Sequence, residues 1–406
     1  MRILLLNLYY PPDTSATAKM AARVADALSA RHDVTVLCGR PSYDPTERRR
    51  WRFWQTEQVG RVRILRVGST DYPRFAMRRR VLNYLSYVAL AIPRALFIPC
   101  DVVLAMTDPP FEGIVGAIIS LLKSKPYVYN IRDMYPDMAV GGAIVEPRLL
   151  ARIWERLHRW ALRRATRVIV LGEDMRARIT SKGVGPAGIE IVRDGVDILP
   201  PNAPQPALDG ELIRSIRGDF KFVFLHAGNL GFYGAWETLI EATKQLEKSN
   251  PDVSLVFVGD GAQRDRLVGL ADGCKSIRFL PFFPASKIPS VMAAGDVHVI
   301  TVKKGLEGVV VPSKLYGILA AGRPILAVAD GASDASSITQ EKKCGYTASP
   351  QIPLQVFLAM RAMAAGGALT PGLKAMGEAA RAVAPDYDRV KELQKFVKII
   401  EGAVKA

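Results

Sequence analysis

Four loops carry residue types whose spacing could do chemistry. The richest is Gly305-Leu306-Glu307-Gly308-Val309-Val310-Val311-Pro312-Ser313-Lys314-Leu315-Tyr316-Gly317. Pro-Ser-Lys at a helix start offers open backbone N–H groups, the Ser313 hydroxyl and the Lys314 ammonium, a set suited to a diphosphate; a capped helix with a solvated lysine is the plainer reading. In Phe224-Leu225-His226-Ala227-Gly228-Asn229-Leu230-Gly231-Phe232, Gly228 and Gly231 flank Asn229 and let the backbone approach a phosphate closely. A lone Gly-x-x-Gly is a weak signal, and without Gly-x-Gly-x-x-Gly the dinucleotide fingerprint of a dehydrogenase is not supported. Nearer the start, Asp13, Thr14 and Ser15 follow Tyr9-Tyr10-Pro11-Pro12 and precede a helical segment, where they either cap it or leave its N–H groups open to an anion. Arg132 and Asp133, in Tyr129-Asn130-Ile131-Arg132-Asp133-Met134-Tyr135-Pro136-Asp137, set a carboxylate and its charge partner at a strand end, as a site or as a simple ion pair.

The elements that must hold these loops are short β-branched runs alternating with helical periods, the pattern of parallel α/β sheets. Strands are expected at Arg2–Leu6, Val34–Cys38, Val62–Arg66, Val102–Ala105, Tyr127–Ile131, Val168–Leu171 and Ile189–Val192, with helices at Ala16–Ser29 and Leu149–Arg164. After the proline-rich stretch at 199–206, which continues neither helix nor central strand, strands resume at Phe222–His226, Ser254–Val258, Ile277–Phe279, His298–Thr301 and Ile325–Val328. The expected organisation is a first domain over 1–198, a linker over 199–218 and a second domain over 219–385, with a terminal helix within 386–406 packing back on the first. All four loops then follow strands, at the sheet edge where open α/β proteins bind ligands.

At 406 residues the chain is too long for one core, and 49% apolar with 23% charged residues excludes a disordered or fibrous class. Four scattered cysteines and four histidines show neither disulfide-framework nor zinc spacing. The start reads as a buried strand and not a leader peptide, which points to a reducing cytoplasm. Residues 1–200 hold 31 Lys+Arg against 19 Asp+Glu, so most of the net charge of +16 sits in the first half, facing something anionic. It concentrates at Arg48, Arg49, Arg50 and Arg52 among Trp51, Phe53 and Trp54, at Arg74, Arg78, Arg79 and Arg80, and at Arg159, Arg163, Arg164 and Arg167. The apolar stretch Val81–Pro99 is too interrupted to span a bilayer. It reads as a packed helix, or as one that also touches an anionic membrane beside its arginines.

The motifs YYPPDTSATA, RDMYPD, VIVLGEDM, IVRDGVD, HAGNLG, FVGDGAQRDRL, VPSKLYGILAAGRPI and CGYTASP together resemble the family-4 retaining glycosyltransferases of bacterial surface-polysaccharide synthesis. The resemblance implies the GT-B architecture, two Rossmann-like doubly wound domains facing across a cleft, and transfer of a sugar from a UDP- or GDP-linked donor to a glycan or lipid-diphosphate-linked acceptor with no metal required. By that likeness Gly228, Asn229, Gly231, Phe282, Gly308, Ser313, Lys314 and Asp334 are expected on the nucleotide-sugar. Asp13, Thr14, Ser15 and Arg132 are expected on the acceptor, and Asp133 and Glu307 in catalysis. The family's pair of glutamates falls here on Val309 and Gly317, so Glu307 sits two residues early, and Asp334 or backbone groups are the candidate substitutes for the second. The enzyme is expected at the inner face of the cell membrane as a peripheral protein. A nucleotide-sugar 2-epimerase would need an acid/base set that is not evident, and a nucleic-acid binder a motif that is missing.

Overall fold

The computed structural model describes all residues except 43–51, 73–76, 142–148, 201, 205, 369 and 406, and the side chains of 77, 78 and 141. The basic run at Arg48, Arg49, Arg50 and Trp51, together with Arg74, lies outside the described residues. The chain divides into two units, one of Met1–Val192 with Lys391–Ala406 and one of Arg193–Val390.

The first unit runs β1 (Arg2–Leu6), α1 (Ala16–Ser29), β2 (Asp33–Cys38), β3 (Trp54–Val59), β4 (Val62–Val67), α2 (Met77–Leu96) and β5 (Val102–Ala105). It continues through α3 (Glu112–Lys123), β6 (Tyr127–Asn130), α4 (Asp137–Gly141), α5 (Leu149–Arg164), β7 (Arg167–Val170), α6 (Glu173–Ser181) and β8 (Ile189–Ile191). The sheet order is β3-β4-β2-β1-β5-β6-β7-β8, parallel except where β3 pairs antiparallel with β4. Central strands such as VVLA and YVYN are buried on both faces and so read as unbroken apolar runs. The edge strand β3, WQTEQV, has one neighbour and keeps polar side chains in solvent, which is why its sequence gives so little strand signal. Residues Val81–Pro99 fall mostly within α2, which begins earlier and carries Pro93 near its end.

The second unit runs α7 (Gly210–Arg217), β9 (Phe222–Ala227), α8 (Trp236–Ser249), β10 (Val253–Val258), α9 (Arg264–Leu270), β11 (Ile277–Leu280), α10 (Ile288–Ala294) and β12 (Val297–Thr301). It closes with α11 (Lys314–Ala321), β13 (Ile325–Val328), α12 (Asp334–Glu341), β14 (Gly345–Ala348), α13 (Pro353–Ala364) and α14 (Pro371–Val383), and is followed by α15 (Arg389–Lys405). Its six strands are all parallel, in the order β11-β10-β9-β12-β13-β14.

The division falls earlier than the prolines suggest. Residues from Arg193 belong to the second unit, where Val196 N donates to Tyr387 O (2.9 Å) and Arg389 N donates to Val196 O (3.0 Å). The stretch expected as a linker over 199–218 contains α7, capped by Asp209 and fastened through Arg217 to Asp296 (2.9 Å). It is therefore packed structure and not a free tether. From Lys391 on, the chain returns to the first unit: Phe396, Val397, Ile400 and Ala403 enter its core, and Glu401 meets His32 Nε2 at 3.0 Å.

Candidate functional site

In a doubly wound sheet the helices on the two sides of one strand boundary leave in opposite directions, and the crevice at that boundary is where ligands bind. In the second unit the boundary lies between β9 and β12. Lys314 opens α11, which follows β12, and its Nζ reaches across the boundary to His226 Nε2 at 2.8 Å, on the last turn of strand before the glycine loop of β9. A Cβ placed on Gly228 would stand 2.8 Å from the same Nζ, so glycine is what admits the amine. Burial pushes the Lys314 ammonium down to about 7. His226 is fully buried, and its pKa falls well below the usual imidazole value through burial and then the charge of Lys314. Because His226 Nδ1 lies 3.1 Å from the Val299 carbonyl, which can only accept, Nδ1 carries the proton and Nε2 presents a lone pair to Lys314.

The glycine loop is locked to its neighbour. Leu230 N donates to Asp260 O (2.8 Å) and Gln263 N to Leu230 O (3.0 Å). Gly259 and Gly261 have φ of 150° and 158°, and a Cβ on either would fall 2.0 Å from Gly228 O or 2.6 Å from Asn229 Oδ1. Trp236 Nε1 donates to Gly231 O (2.7 Å) and Tyr233 Oη to Asn229 O (2.6 Å), fixing the far side of the loop. Phe282, 57% exposed after β11, stands beside Gly259 and offers an aromatic face. These strand ends bring Gly228, Asn229, Gly231, Phe282 and Lys314 to one edge. Ser313 precedes α11 without capping it through its side chain.

Two expected residues have structural partners of their own. Glu307 Oε2 accepts from Gly305 N (2.8 Å) within the turn that ends at Gly308, whose φ is 66°. Asp334, at the start of α12, pairs with Arg193 at 3.3 Å, and Arg193 also stands over the Tyr387 ring at 5.8 Å. Gly317 faces open space, with nothing within 4 Å of an added Cβ.

In the first unit the corresponding boundary lies between β1 and β5. There Asn7 bridges the two loops, its Oδ1 accepting from Asp108 N (3.2 Å), while Leu8 N donates to Asp108 O (2.6 Å). Burial raises the Asp108 carboxyl, against a hydrogen bond with Thr17 and the charges of Arg80 and Arg132. Arg80 Nη2 donates to Tyr9 Oη (3.1 Å), and its guanidinium lies 5.6 Å from the Tyr84 ring centroid. Tyr135 stacks on Trp154 at 6.0 Å, and its phenol is raised by burial and then by the nearby Asp133 and Asp108. Asp133 and Asp108 thus both act on the Tyr135 phenol. The cap of α1 is Ser15, whose Oγ accepts from Ala18 N (3.0 Å); Asp13 instead accepts from Ser42 N (3.0 Å), and Thr14 is exposed. Arg132 N is held by Thr107 Oγ1 at 2.8 Å.

Sequence reading missed Asp108, His226, Gly259 and Gly261, and read Arg80 as part of a basic run facing solvent, an anionic ligand or a membrane, whereas the structure turns it inward to Tyr9. The switch-point rule would have found Asp108 and His226 had the strand order been known. No group of three or more His, Cys, Asp or Glu that could hold a metal occurs among the described residues.

Residues 15–195 match the family of glycosyl transferase 4-like domains and residues 221–365 the glycosyl transferases group 1. The chain is 29% identical over 260 residues to a Pseudomonas aeruginosa protein named "Probable glycosyltransferase WbjE", a match covering 63% of this chain and 64% of that protein, so it spans just under two thirds of that relative's length. It is 24% identical over 346 residues to Escherichia coli (strain K12) WcaI, assigned provisionally as a colanic acid biosynthesis glycosyl transferase, covering 79% and 82% of the two chains. Among solved structures its fold is that of Anabaena HepE in complex with UDP, with a TM-score of 0.67 at 18% identity over 99% of this chain and 100% of that one.

Proposed function

This chain belongs to the family-4 glycosyltransferases of GT-B fold, and from that premise we propose that it transfers a sugar, with retention, from a UDP- or GDP-linked donor to a glycan or lipid-diphosphate-linked acceptor in surface-polysaccharide synthesis. The observation that carries the reading is the Lys314 amine held over Gly228 at the switch point of the second unit. The HepE structures that share this fold are complexes with UDP and with UDP-glucose, which supports a nucleotide-sugar donor.

Cleaving a glycosyl–phosphate bond builds charge on the departing diphosphate. The Lys314 cation, held over the loop at 228–231, lowers that barrier because it is aimed before the reaction begins. Phe282 suits a stacked nucleobase. With Gly317 in the place of the family's second glutamate, the ribose lacks its usual carboxylate, and the Phe282 face and the loop backbone carry more of the nucleoside. In the first unit Asp108 and Asp133, both acting on Tyr135, would orient the acceptor hydroxyl. UDP, GDP and their sugars should raise the melting temperature of the protein if this site holds a nucleotide; no shift with any of them would remove the donor site.

The first unit is also proposed to rest on an anionic leaflet on the inner face of the membrane. No described helix is long and apolar enough to cross one. On α2, Val81, Leu82 and Leu85 are exposed beside Arg79. On α5, Leu149, Leu150, Ile153 and Leu157 form a second exposed apolar stripe, with Arg152, Arg156 and Arg163 along its margin.

A further inference from the structure

We propose that His226 is the positioning residue of the donor site: as a neutral, Nδ1-protonated imidazole it accepts the Lys314 N–H and parks the amine over Gly228 until a diphosphate takes it over. This rests on the donor-site reading above. Lysine has four rotatable bonds, and an amine left without a partner would spread over several rotamers or swing into solvent. The 2.8 Å bond to His226 Nε2 instead fixes it, in the space that the absence of a Cβ at Gly228 leaves free.

The imidazole is held as firmly as the amine. Val299 O on β12 sets the tautomer. Trp236 of α8 meets the ring edge-on at 4.8 Å, and Phe257 of β10 lies at 6.0 Å. Among the described residues, the one other titratable side chain acting on His226 besides Lys314 is His298 of β12, which burial holds near pKa 4 and whose Nε2 donates to Met292 O (2.9 Å). The two aromatic rings do not titrate. A lysine in so dry a place titrates near neutrality, and an arriving diphosphate restores full charge to it by attraction. Above neutral pH the bound state therefore holds one proton more than the free state, drawn from solvent onto Nζ.

The dissociation constant of a UDP- or GDP-hexose, whichever binds, is to be measured by calorimetry from pH 6 to 9; the diphosphate diester of such a donor does not itself titrate there. For the wild type, affinity should be level below about pH 7 and weaken above it by up to roughly tenfold per pH unit. His226→Phe keeps the packing against Trp236 but removes the acceptor. The break should then move to lower pH, leaving affinity within about threefold at pH 6 and roughly tenfold weaker at pH 8. His226→Gln, whose amide oxygen can accept from Nζ, should return the break toward its wild-type place. An equal loss at every pH in His226→Phe, or no loss at all, would overturn the proposal in favour of simple packing. Lys314→Ala separates the two layers: if it binds as the wild type does, or if neither sugar nucleotide binds the wild type, the donor-site reading fails whatever His226 does.

Discussion

At the scale of single residues, Lys314 is proposed to serve the leaving group and the carboxylates of the first unit the acceptor. Lys314→Ala removes one charge aimed at the developing diphosphate, and losing such a donor costs on the order of 10²–10³ in kcat. The far-ultraviolet dichroism should be unchanged, because Nζ bonds a side chain, His226, and no backbone group of a strand or helix. Turnover within threefold of wild type would exclude Lys314 from the reaction. Asp108 and Asp133 belong to the other unit, so Asp108→Asn and Asp133→Asn should slow transfer while leaving the affinity for nucleotide where it was. Loss of nucleotide binding in either variant would contradict the assignment of donor to the second unit. Asp108 was illegible in the sequence because Thr-Asp-Pro-Pro resembles any proline turn; what marks it is the strand order, which brings β5 beside β1. Arg80 was misjudged for the opposite reason. It sits in a conspicuous basic run, yet the first turns of α2 aim it at Tyr9.

At the scale of elements, α11 and the paired glycine loops pull in different directions. Gly317 lies mid-helix with open space around it, so Gly317→Ala should stabilise the protein by about 0.5–1 kcal/mol, read as a small upward shift in urea midpoint; a drop would mean that the open space is used in the folded state. Gly259→Ala has no such freedom, since its Cβ would collide with Gly228 O and its φ favours glycine. It should abolish nucleotide binding. The buried strands of both sheets were legible as apolar runs, whereas β3 and β14 were not, each being an edge strand with exposed side chains. The proposed membrane face was only half legible. Basic runs are visible in any sequence, but the exposed Leu149, Leu150, Ile153 and Leu157 share a helix with buried Ala151, His158, Ala161 and Leu162, and periodicity alone does not tell which of two apolar stripes meets the core. Replacing Leu150 and Ile153 together with Glu should reduce pelleting with anionic vesicles at low salt, with nucleotide affinity retained. Pelleting equal to wild type would move the contact elsewhere.

At the scale of the whole molecule, buried histidines in both units set the response to acid. His158 in the first unit packs edge-on against Tyr129 at 5.9 Å with no hydrogen-bond partner among the described residues, and burial lowers it to about 4. His298 in the second unit is lowered to about 4 as well. The unfolded chain takes up protons below about pH 6.5 that the folded chain refuses, so stability is complete above that pH and falls as pH drops toward 4. Each should cost roughly 2 kcal/mol on going from pH 7 to 5, seen as a falling urea midpoint; His158→Phe should flatten that slope, and an unaltered slope would exonerate it. The return of residues 391–405 to the first unit has a consequence for how the chain is made. The second unit is continuous in sequence and can close while still being synthesised. The first is the earlier to leave the ribosome, yet Phe396, Val397, Ile400 and Ala403 reach its core last of all, so it must wait with an open apolar face while about two hundred intervening residues emerge. For this chain the usual order of maturation runs backwards, and holdase chaperones have the longest opportunity to engage its N-terminal half.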